Sequence, residues 1–154
     1  MKADRIVCDT NVLISAAIMP EGKARAVVNY VVAGRRFLLS RETFDELVTR
    51  LDRPKFNRYV TVEDRRDFLQ LIMWISEFVT ITGTPQGVRD PNDDKVLETA
   101  MAGNADCLVT GDGDLLTLRP IGESENAASV EDALFKGVAI LRPAEFLKLA
   151  RPEN

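Results

Sequence analysis

Three carboxylates stand where short apolar runs of the sequence end. Asp9 follows the run 6–8 directly, and Asp112 follows the run 108–110 after one glycine, with Asp114 two residues further on. In an open parallel sheet, functional groups collect at the carboxyl edge of the strands. Carboxylates gathered in one cleft repel each other, so such a group is unfavourable unless a cation neutralises it. A ligand set made of oxygen alone predicts Mg²⁺ or Mn²⁺ rather than zinc.

A second pair of acids, Asp93 and Asp94, lies in the first turn of the predicted helix that precedes the run 108–110. At 100° per residue, Asp93 falls on the same stripe as the apolar Val96 and Leu97, whereas Asp94 lies at the edge of that stripe. An acid on the core-facing side of a helix start is well placed to line a cleft. This helix is therefore expected to contribute to the same acidic site.

Each acid also has an ordinary structural explanation. Asp9 can cap the helix that follows it. Asp93 and Asp94 can favour a helix N-terminus through the helix dipole. Asp112 and Asp114 flank a glycine and can be plain turn residues. Because all of these explanations would have to hold together, the sequence favours an acidic metal site.

The composition narrows the chemistry further. Histidine is absent, which excludes Ser-His-Asp and Cys-His nucleophile systems, His-ligated zinc and a histidine general base. The net charge of −4 argues against a surface dominated by basic groups for nucleic acid. Cys8 and Cys107 lack CxxC spacing and are read as buried thiols of a reducing cytosol. No apolar run is long enough to span a membrane, so a cytoplasmic protein without a membrane partner is expected.

The elements that must position these acids alternate between strand and helix. The predicted strands are short and mostly apolar, and they cover residues 5–8, 36–39, 78–81, 107–110 and 138–141. The predicted helices cover 11–18, 22–33, 41–51, a long segment after Thr61, 92–103 and 143–150. This pattern predicts an α/β fold, namely a three-layer α/β/α sandwich around a central, mostly parallel five-stranded sheet of Rossmann-like type.

The chain length is that of one domain, 1–154. The stretch 111–114 has the composition of a turn, and 121–129 that of an exposed loop inserted before the last strand.

Five segments in order resemble the motifs of PIN domains (PilT N-terminal-like nucleases). They are Asp-Thr-Asn-Val-Leu at 9–13, Ser-Arg-Glu-Thr-Phe-Asp-Glu-Leu at 40–47, Arg-Asp-Pro-Asn-Asp-Asp-Lys at 89–95, Val-Thr-Gly-Asp-Gly-Asp-Leu-Leu at 109–116 and Pro-Ala-Glu-Phe-Leu at 143–147. The last segment resembles the closing helix of the toxin subgroup that is close to VapC-type toxins. The insertion at 121–129 is longer than the family pattern leads us to expect.

The resemblance implies a metal-dependent endoribonuclease. Its catalytic and metal-binding acids would be Asp9, Glu46, Asp94 and Asp112, which would hold one or two Mg²⁺ or Mn²⁺ ions with Asp114 as an auxiliary acid. Glu46 enters only through the resemblance, because helical periodicity places it opposite the apolar face of its helix.

Three residues next to the acids have side chains that allow both a functional and a purely structural interpretation. Thr10 and Thr110 have hydroxyls that can orient a carboxylate or a water, although each can equally be a β-branched residue at a strand end. Lys95 can meet a phosphate or simply be solvated.

A local basic cluster follows the second motif and includes aromatic residues. It can be a surface for RNA backbone and base stacking, a solvated face or an antitoxin-binding surface. Its members are Arg50, Arg53, Lys55, Arg58, Phe56 and Tyr59.

The leading hypothesis is the toxin of a toxin–antitoxin pair, with an RNA substrate and a small antitoxin protein as partners. The alternatives are a PIN nuclease of RNA processing or decay without a toxin role, and a non-catalytic binding module that keeps the fold. A receiver-type signalling domain is disfavoured, because no further strand ends in a phosphoacceptor Asp or a Lys. The resemblance also implies a homodimer, for which the apolar helices at 24–32 and 68–75 are candidate surfaces or core.

Overall fold

The computed structural model describes residues 1–150, and these form a sheet with helices on both faces. The sheet has six strands in the order β3-β2-β1-β4-β6-β5, and all neighbours are parallel except the pair β5 and β6. The strands are β1 Arg5–Cys8, β2 Arg36–Leu39, β3 Ser76–Phe78, β4 Cys107–Val109, β5 Leu134–Phe135 and β6 Val138–Leu141. Strands β1 and β4 lie side by side at the centre, so their carboxyl ends meet.

Eight α-helices and one short 3-10 helix connect the strands within residues 1–150. The 3-10 helix covers Pro54–Phe56. The α-helices are α1 Thr10–Ile18, α2 Lys23–Val32, α3 Arg41–Leu51, α4 Val62–Trp74, α5 Pro91–Ala102, α6 Gly113–Leu116, α7 Val130–Ala133 and α8 Pro143–Leu149. None of the helices in this part of the chain has the length and apolar character to cross a membrane.

The predicted three-layer sandwich is confirmed by the way each strand divides its side chains. In β1, Ile6 and Cys8 join the larger core cluster with α1, α2, α3, α4 and α8, whereas Val7 joins a smaller cluster with α5 and α6. Successive side chains of a strand point to opposite faces of the sheet, so an entirely apolar strand must be covered on both sides. Strands β4 and β6 are buried along their whole length for the same reason.

Polar residues begin the helices at the predicted places. Ser40 Oγ accepts a hydrogen bond from the Thr43 N–H at 3.1 Å at the start of α3, and Thr61 Oγ1 accepts one from the Asp64 N–H at 3.0 Å at the start of α4. Each such bond satisfies a backbone donor that has no partner inside the helix. Helix α3 consequently begins at residue 41 as predicted, which fixes the position of Glu46 along it.

Three local predictions were wrong. The sheet has six strands rather than five, because a two-residue strand, β5, pairs antiparallel with β6 across a tight turn in which Lys136 and Gly137 have positive φ. The third strand covers 76–78 rather than 78–81, since β3 is an edge strand and pairs immediately after α4 ends. The second half of the expected turn at 111–114 is instead the start of helix α6, which is capped by Asp112.

The inserted segment 121–129 carries mostly exposed side chains, with Ala127 as a buried exception. Two arginines hold its backbone: Arg119 donates to the carbonyls of Gly122 at 3.1 Å and Glu125 at 2.7 Å, and Arg142 donates to the Glu123 and Glu125 carbonyls. The segment is therefore tied to the body of the protein beside helix α6.

Candidate metal centre

Asp9 occupies the end of the central strand β1 and has two structural roles at once. Its Oδ1 accepts the Val12 N–H at 2.9 Å and so caps helix α1, while its Oδ2 accepts a hydrogen bond from the Thr110 hydroxyl at the end of β4. Asp9 is only 4% exposed. The capping role of Asp9 is therefore confirmed at Oδ1, and Oδ2 joins the end of β1 to the end of β4.

Thr110 connects the two central strand ends. Besides donating to Asp9, its Oγ1 accepts the Asp112 N–H at 3.0 Å, and the residue is fully buried. A hydroxyl can donate and accept at the same time, whereas a valine of similar shape can do neither. Thr110 thereby fixes the distance between the first and the last acidic motif.

The acids of β4 and α5 meet in one cluster. Asp93, Asp112 and Asp114 each offer a carboxylate oxygen, and these atoms all lie within 4.8 Å of one another. Asp112 caps helix α6 by accepting the Asp114 N–H at 2.8 Å, and this bond joins the two acids at the start of the helix. The first turn of α5 supplies Asp93 from the neighbouring side of the sheet edge.

The electrostatics of this cluster are unfavourable without a cation. Burial, together with the negative charges of Asp112 and Asp90, raises the pKa of Asp93 to about 7. Burial also raises the pKa of Asp9, although the hydrogen bonds from Thr110 and from the Val12 N–H act in the opposite direction. The cluster thus concentrates negative charge that the surrounding residues only partly offset.

One atom of the cluster lacks any partner. Asp93 Oδ2 is buried and accepts no hydrogen bond from residues 1–150. A buried carboxylate oxygen left unpaired costs about 1–3 kcal/mol or more, so native proteins rarely keep one without a reason. Three carboxylates with one orphaned oxygen and no nitrogen or sulfur ligand fit a hard divalent cation such as Mg²⁺ or Mn²⁺.

The structure does not bring Asp94 into this cluster, although the motif resemblance assigns it the catalytic role. Both of its oxygens accept backbone N–H groups of the preceding loop, from Gln86 at 2.9 and 3.0 Å and from Val88 at 3.1 Å. One turn later, Glu98 accepts the Thr82 and Gly83 N–H groups in the same manner. Asp94 and Glu98 share the face of α5 that holds the loop, and Asp93, 100° away, faces the cluster.

Glu46 lies at the rim of the site. Its Oε1 is 3.7 Å from Arg50 Nε, one turn further along α3, and 3.5 Å from Asn92 Nδ2 at the start of α5. Its side chain is 29% exposed, whereas Val48, which periodicity assigned to the apolar face, is itself exposed. Helix α3 buries Leu47 and Leu51, so the adjacent row with Glu46 and Arg50 turns toward the acids.

Two arginines lie next to the acids. Arg50 Nη2 donates to the Asn11 side chain, and the charge of Arg50 lowers the pKa of Asp9. Arg89 pairs with Asp114 at 3.1 Å from an exposed position. Sequence reasoning placed Arg50 only in a basic surface cluster and missed Arg89, because nothing local in the sequence indicates contacts between residues that are 25 or 39 positions apart.

The remaining sequence candidates take ordinary positions. Thr10 is buried at the first position of α1. Lys95 is exposed and forms no ion pair with any other residue in 1–150. Asp93 had a readable signal, since helical periodicity placed it on the core-facing stripe and Asp94 at the edge of that stripe.

Comparison with known proteins identifies the family of the chain. The family model described as PIN domain matches residues 5–114, which include β1, β4, α3 and α5 and every acid of the cluster. No curated protein sequence matches the chain closely enough to count as a relative. The family match covers well over half of the sequence, and the chain therefore belongs to the PIN domain family, whose members are generally metal-dependent nucleases.

Proposed function

We propose that this protein is a divalent-metal-dependent endoribonuclease that hydrolyses RNA phosphodiester bonds at the cluster of Asp93, Asp112 and Asp114. The observation that carries the proposal is the cluster of Asp93, Asp112 and Asp114, whose carboxylate oxygens lie within 4.8 Å of one another and in which Oδ2 of Asp93 is buried and unpaired. Mg²⁺ or Mn²⁺ bound there would supply an activated water and offset the negative charge that develops on the phosphate.

The chain's own residues prepare the site for such an ion. Asp93, Asp112 and Asp114 would hold it, and Asp9 adds a fourth carboxylate whose orientation is set by Thr110 and the Val12 N–H. Arg50 holds Glu46 at the rim, so this acid stays ordered on the side of α3 that faces the cluster. Carboxylates with fixed orientations favour a small cation that requires a strict ligand geometry.

The test is cleavage of total RNA by the purified protein with Mg²⁺, Mn²⁺ or EDTA, alongside three Asp→Asn variants. Asp93→Asn should abolish cleavage and weaken Mn²⁺ binding at least ten-fold, because it removes one of the ion's charged ligands. Asp94→Asn should keep most of the activity, since Asp94 holds the loop at 86–88 rather than the cluster. Asp45→Asn, an exposed change on α3, is the matched control and should behave as the wild type.

Three outcomes would contradict the proposal. Cleavage that persists in EDTA, or that survives Asp93→Asn and fails in a folded Asp94→Asn, would move the chemistry away from the cluster. A folded wild type that binds neither Mn²⁺ nor Mg²⁺ would favour the alternative of a non-catalytic PIN module.

The biological setting is part of the same proposal. The resemblance of residues 143–147 to the closing helix of VapC-type toxins supports a toxin role with a small antitoxin partner, and a cytoplasmic location suits the free thiols of Cys8 and Cys107. A small reading frame next to the gene, whose product suppresses RNA cleavage when co-purified, would support the toxin. Its absence would favour a role in RNA processing or decay.

A homodimer also remains a proposal. The apolar side chains of α2 at 24, 27, 28 and 31 are core residues, so they are not available as a dimer surface. Helix α4 buries Phe68 and Ile72 but exposes Met73 and Trp74. A change in molar mass between the wild type and Trp74→Ala, measured by light scattering, would test this face.

A further inference from the structure

The segment 53–59, which we name the basic–aromatic loop, carries three cations that have no partner. Arg53, Lys55 and Arg58 are exposed, and their side chains form no ion pair or hydrogen bond with residues 1–150. Tyr59 is 59% exposed, and Phe56 is partly buried next to Lys55, whose ammonium lies 5.1 Å from its ring centre. In a chain whose net charge is −4, these neighbouring free cations are a local exception.

The loop is rigidly built. Successive backbone hydrogen bonds continue from α3 through it: the Arg53 N–H donates to the Arg50 carbonyl at 3.2 Å, Phe56 to Arg53 at 3.0 Å and Tyr59 to Phe56 at 2.9 Å. A binding surface that is already ordered loses less conformational entropy when a ligand binds.

A buried arginine holds the far end of the loop. Arg65 of α4 is 7% exposed, and its Nη2 donates to the Asn57 side chain and to the Val60 carbonyl at 3.4 Å. Because Arg65 uses its guanidinium in this way, the loop is anchored at both ends, to α3 and to α4. Its exposed cations and ring are thus displayed on a fixed backbone.

The loop follows α3, the helix that carries Arg50 next to the acidic site. Residues 54–59 line a cleft of about 680 Å³. Arg50, which donates to Asn11 beside Asp9, lies on α3 one turn before this cleft. At a rise of 1.5 Å per residue, the distance along α3 from Glu46 to the start of the loop is roughly 10 Å. An RNA strand bound along this path would cover it with a few nucleotides.

We propose that the basic–aromatic loop binds single-stranded RNA on one side of the scissile phosphate, a specificity element that rests on the nuclease function proposed above. Lys55 and Arg58 would neutralise backbone phosphates, and the exposed ring of Tyr59 would stack on a base. A single strand fits because its bases are free to stack on aromatic side chains, whereas the bases of a duplex are already stacked.

An acidic protein partner would also be attracted by the cations. The observations favour RNA because the cations alternate with an exposed aromatic ring and because the loop continues directly from the acids through Arg50. An acidic protein partner could bind the cations without an aromatic ring among them and without the acids nearby.

The experiment measures RNA binding without cleavage, in an Asp93→Asn background with Mg²⁺ present. A fluorescently labelled single-stranded RNA is titrated, and its anisotropy gives the Kd over a range of salt concentrations. Lys55→Gln with Arg58→Gln should weaken binding about ten-fold and reduce the slope of log Kd against log salt by about 1.4, that is about 0.7 for each lost cation. The matched control is Lys2→Gln with Lys136→Asn, which also removes two cations. Lys2 precedes β1 and Lys136 lies in the turn before β6, so both stand at the amino ends of the parallel strands, opposite to the acids.

The aromatic part is tested separately. Tyr59→Ala should weaken binding about five-fold or more without changing the salt slope, and Tyr59→Phe should restore the wild-type Kd because the ring is retained. Leu134→Ala removes an exposed apolar side chain of β5, away from the loop and from the face of α4 proposed for a dimer, and should leave the Kd unchanged.

Three results would overturn the proposal: equal losses in the Lys55/Arg58 and control variants, binding that does not respond to Tyr59→Ala, or a background that binds no single-stranded RNA. Loop variants that still bind RNA normally yet lose affinity for a protein partner would assign the surface to that partner. The binding result does not depend on cleavage, so a wild type that binds RNA through the loop but cuts none would contradict the proposed function alone.

Discussion

The Thr110 hydroxyl donates a hydrogen bond to Asp9 Oδ2 across the two central strands of the sheet, although 101 positions separate the two residues in the sequence. The same hydroxyl accepts the Asp112 N–H. One side chain therefore sets the orientation of the acid that ends β1 and the backbone position of the acid that follows β4. This link turns two separate motifs into one site.

Replacing Thr110 by valine should test this link. Thr110→Val keeps the shape but removes the donor to Asp9 and the acceptor for Asp112, so Mn²⁺ affinity should fall about ten-fold and stability should fall by about 1–2 kcal/mol. Thr110→Ser retains the hydroxyl and should keep the Mn²⁺ affinity near the wild-type value. Mn²⁺ titration by calorimetry and urea unfolding check both effects. Equal Mn²⁺ affinity in the Val and Ser variants would show that the hydroxyl does not position the acids.

Asp93→Asn should stabilise the metal-free protein at high pH. The pKa of Asp93 is raised to about 7 in the folded protein from an ordinary value of 3.8, so the stability that comes with its proton is complete below about pH 4 and is lost as the pH rises through 7. At pH 8, in EDTA, the variant should be more stable than the wild type, because it lacks a negative charge that the neighbouring acids repel. The difference should be only roughly 1–2 kcal/mol, because partial exposure to solvent screens this repulsion.

Divalent metal should reverse this order. Added Mn²⁺ should raise the free energy of unfolding of the wild type, since it binds only the folded state, and should do so much less for Asp93→Asn. Urea unfolding at pH 4 and pH 8, with and without Mn²⁺, measures all of these differences. A wild type that is more stable than the variant at pH 8 in EDTA would contradict the described electrostatics.

Asp94→Ala should loosen the loop rather than the metal centre. The carboxylate of Asp94 accepts the backbone N–H groups of Gln86 and Val88, so its removal should leave both amides without partners. We expect hydrogen exchange at these two amides to accelerate at least ten-fold, with Mn²⁺ affinity reduced less than three-fold. If the Mn²⁺ affinity fell as far as in Asp93→Asn, Asp94 would have to be counted among the metal ligands, as the family resemblance implies.

The buried pair of Arg119 and Glu145 should make the protein sensitive to acid. Burial alone would raise the pKa of Glu145, but the N–H groups of Ala127 and Arg142 and the charge of Arg119 together hold it below its usual value of 4.5. The stability contributed by this carboxylate is present above pH 4.5 and is lost as the pH falls through the lowered pKa.

A charge-removing variant tests this pair. Glu145→Gln should cost about 2–4 kcal/mol at pH 7, because it leaves the fully buried Arg119 guanidinium uncompensated. The difference from the wild type should shrink toward pH 3. Urea unfolding at both pH values is the measurement, and Glu131→Gln, which lies on α7, is a matched surface control. A constant difference across this pH range would mean that the ionised form of Glu145 contributes nothing.

Local sequence patterns were sufficient for most of the fold. Apolar runs without alternation indicated strands covered on both faces, and α3, α4 and α5 begin within a residue or two of the predicted positions, with Ser40, Thr61 and Asp90 as their caps. The two-residue strand β5 escaped detection because it contains only Leu134 and Phe135, and its pairing depends on the tight turn before β6. A pattern that short carries no period from which to infer a strand.

For the acids, too, one part of the site could be inferred from the sequence and another part only from the tertiary structure. The sequence by itself determined that a site here must be built from carboxylates without histidine, and that Asp9 and Asp112 follow the ends of two apolar strands, because residue type and strand position are local properties. Only the tertiary structure placed Asp93 rather than Asp94 in the cluster, put Glu46 beside Arg50 and brought Arg50 and Arg89 to the acids. Such contacts join elements far apart in the chain, and the packing of α3 and α5 against the sheet determines which face of each helix turns inward. That packing depends on the whole core and cannot be read from any single segment.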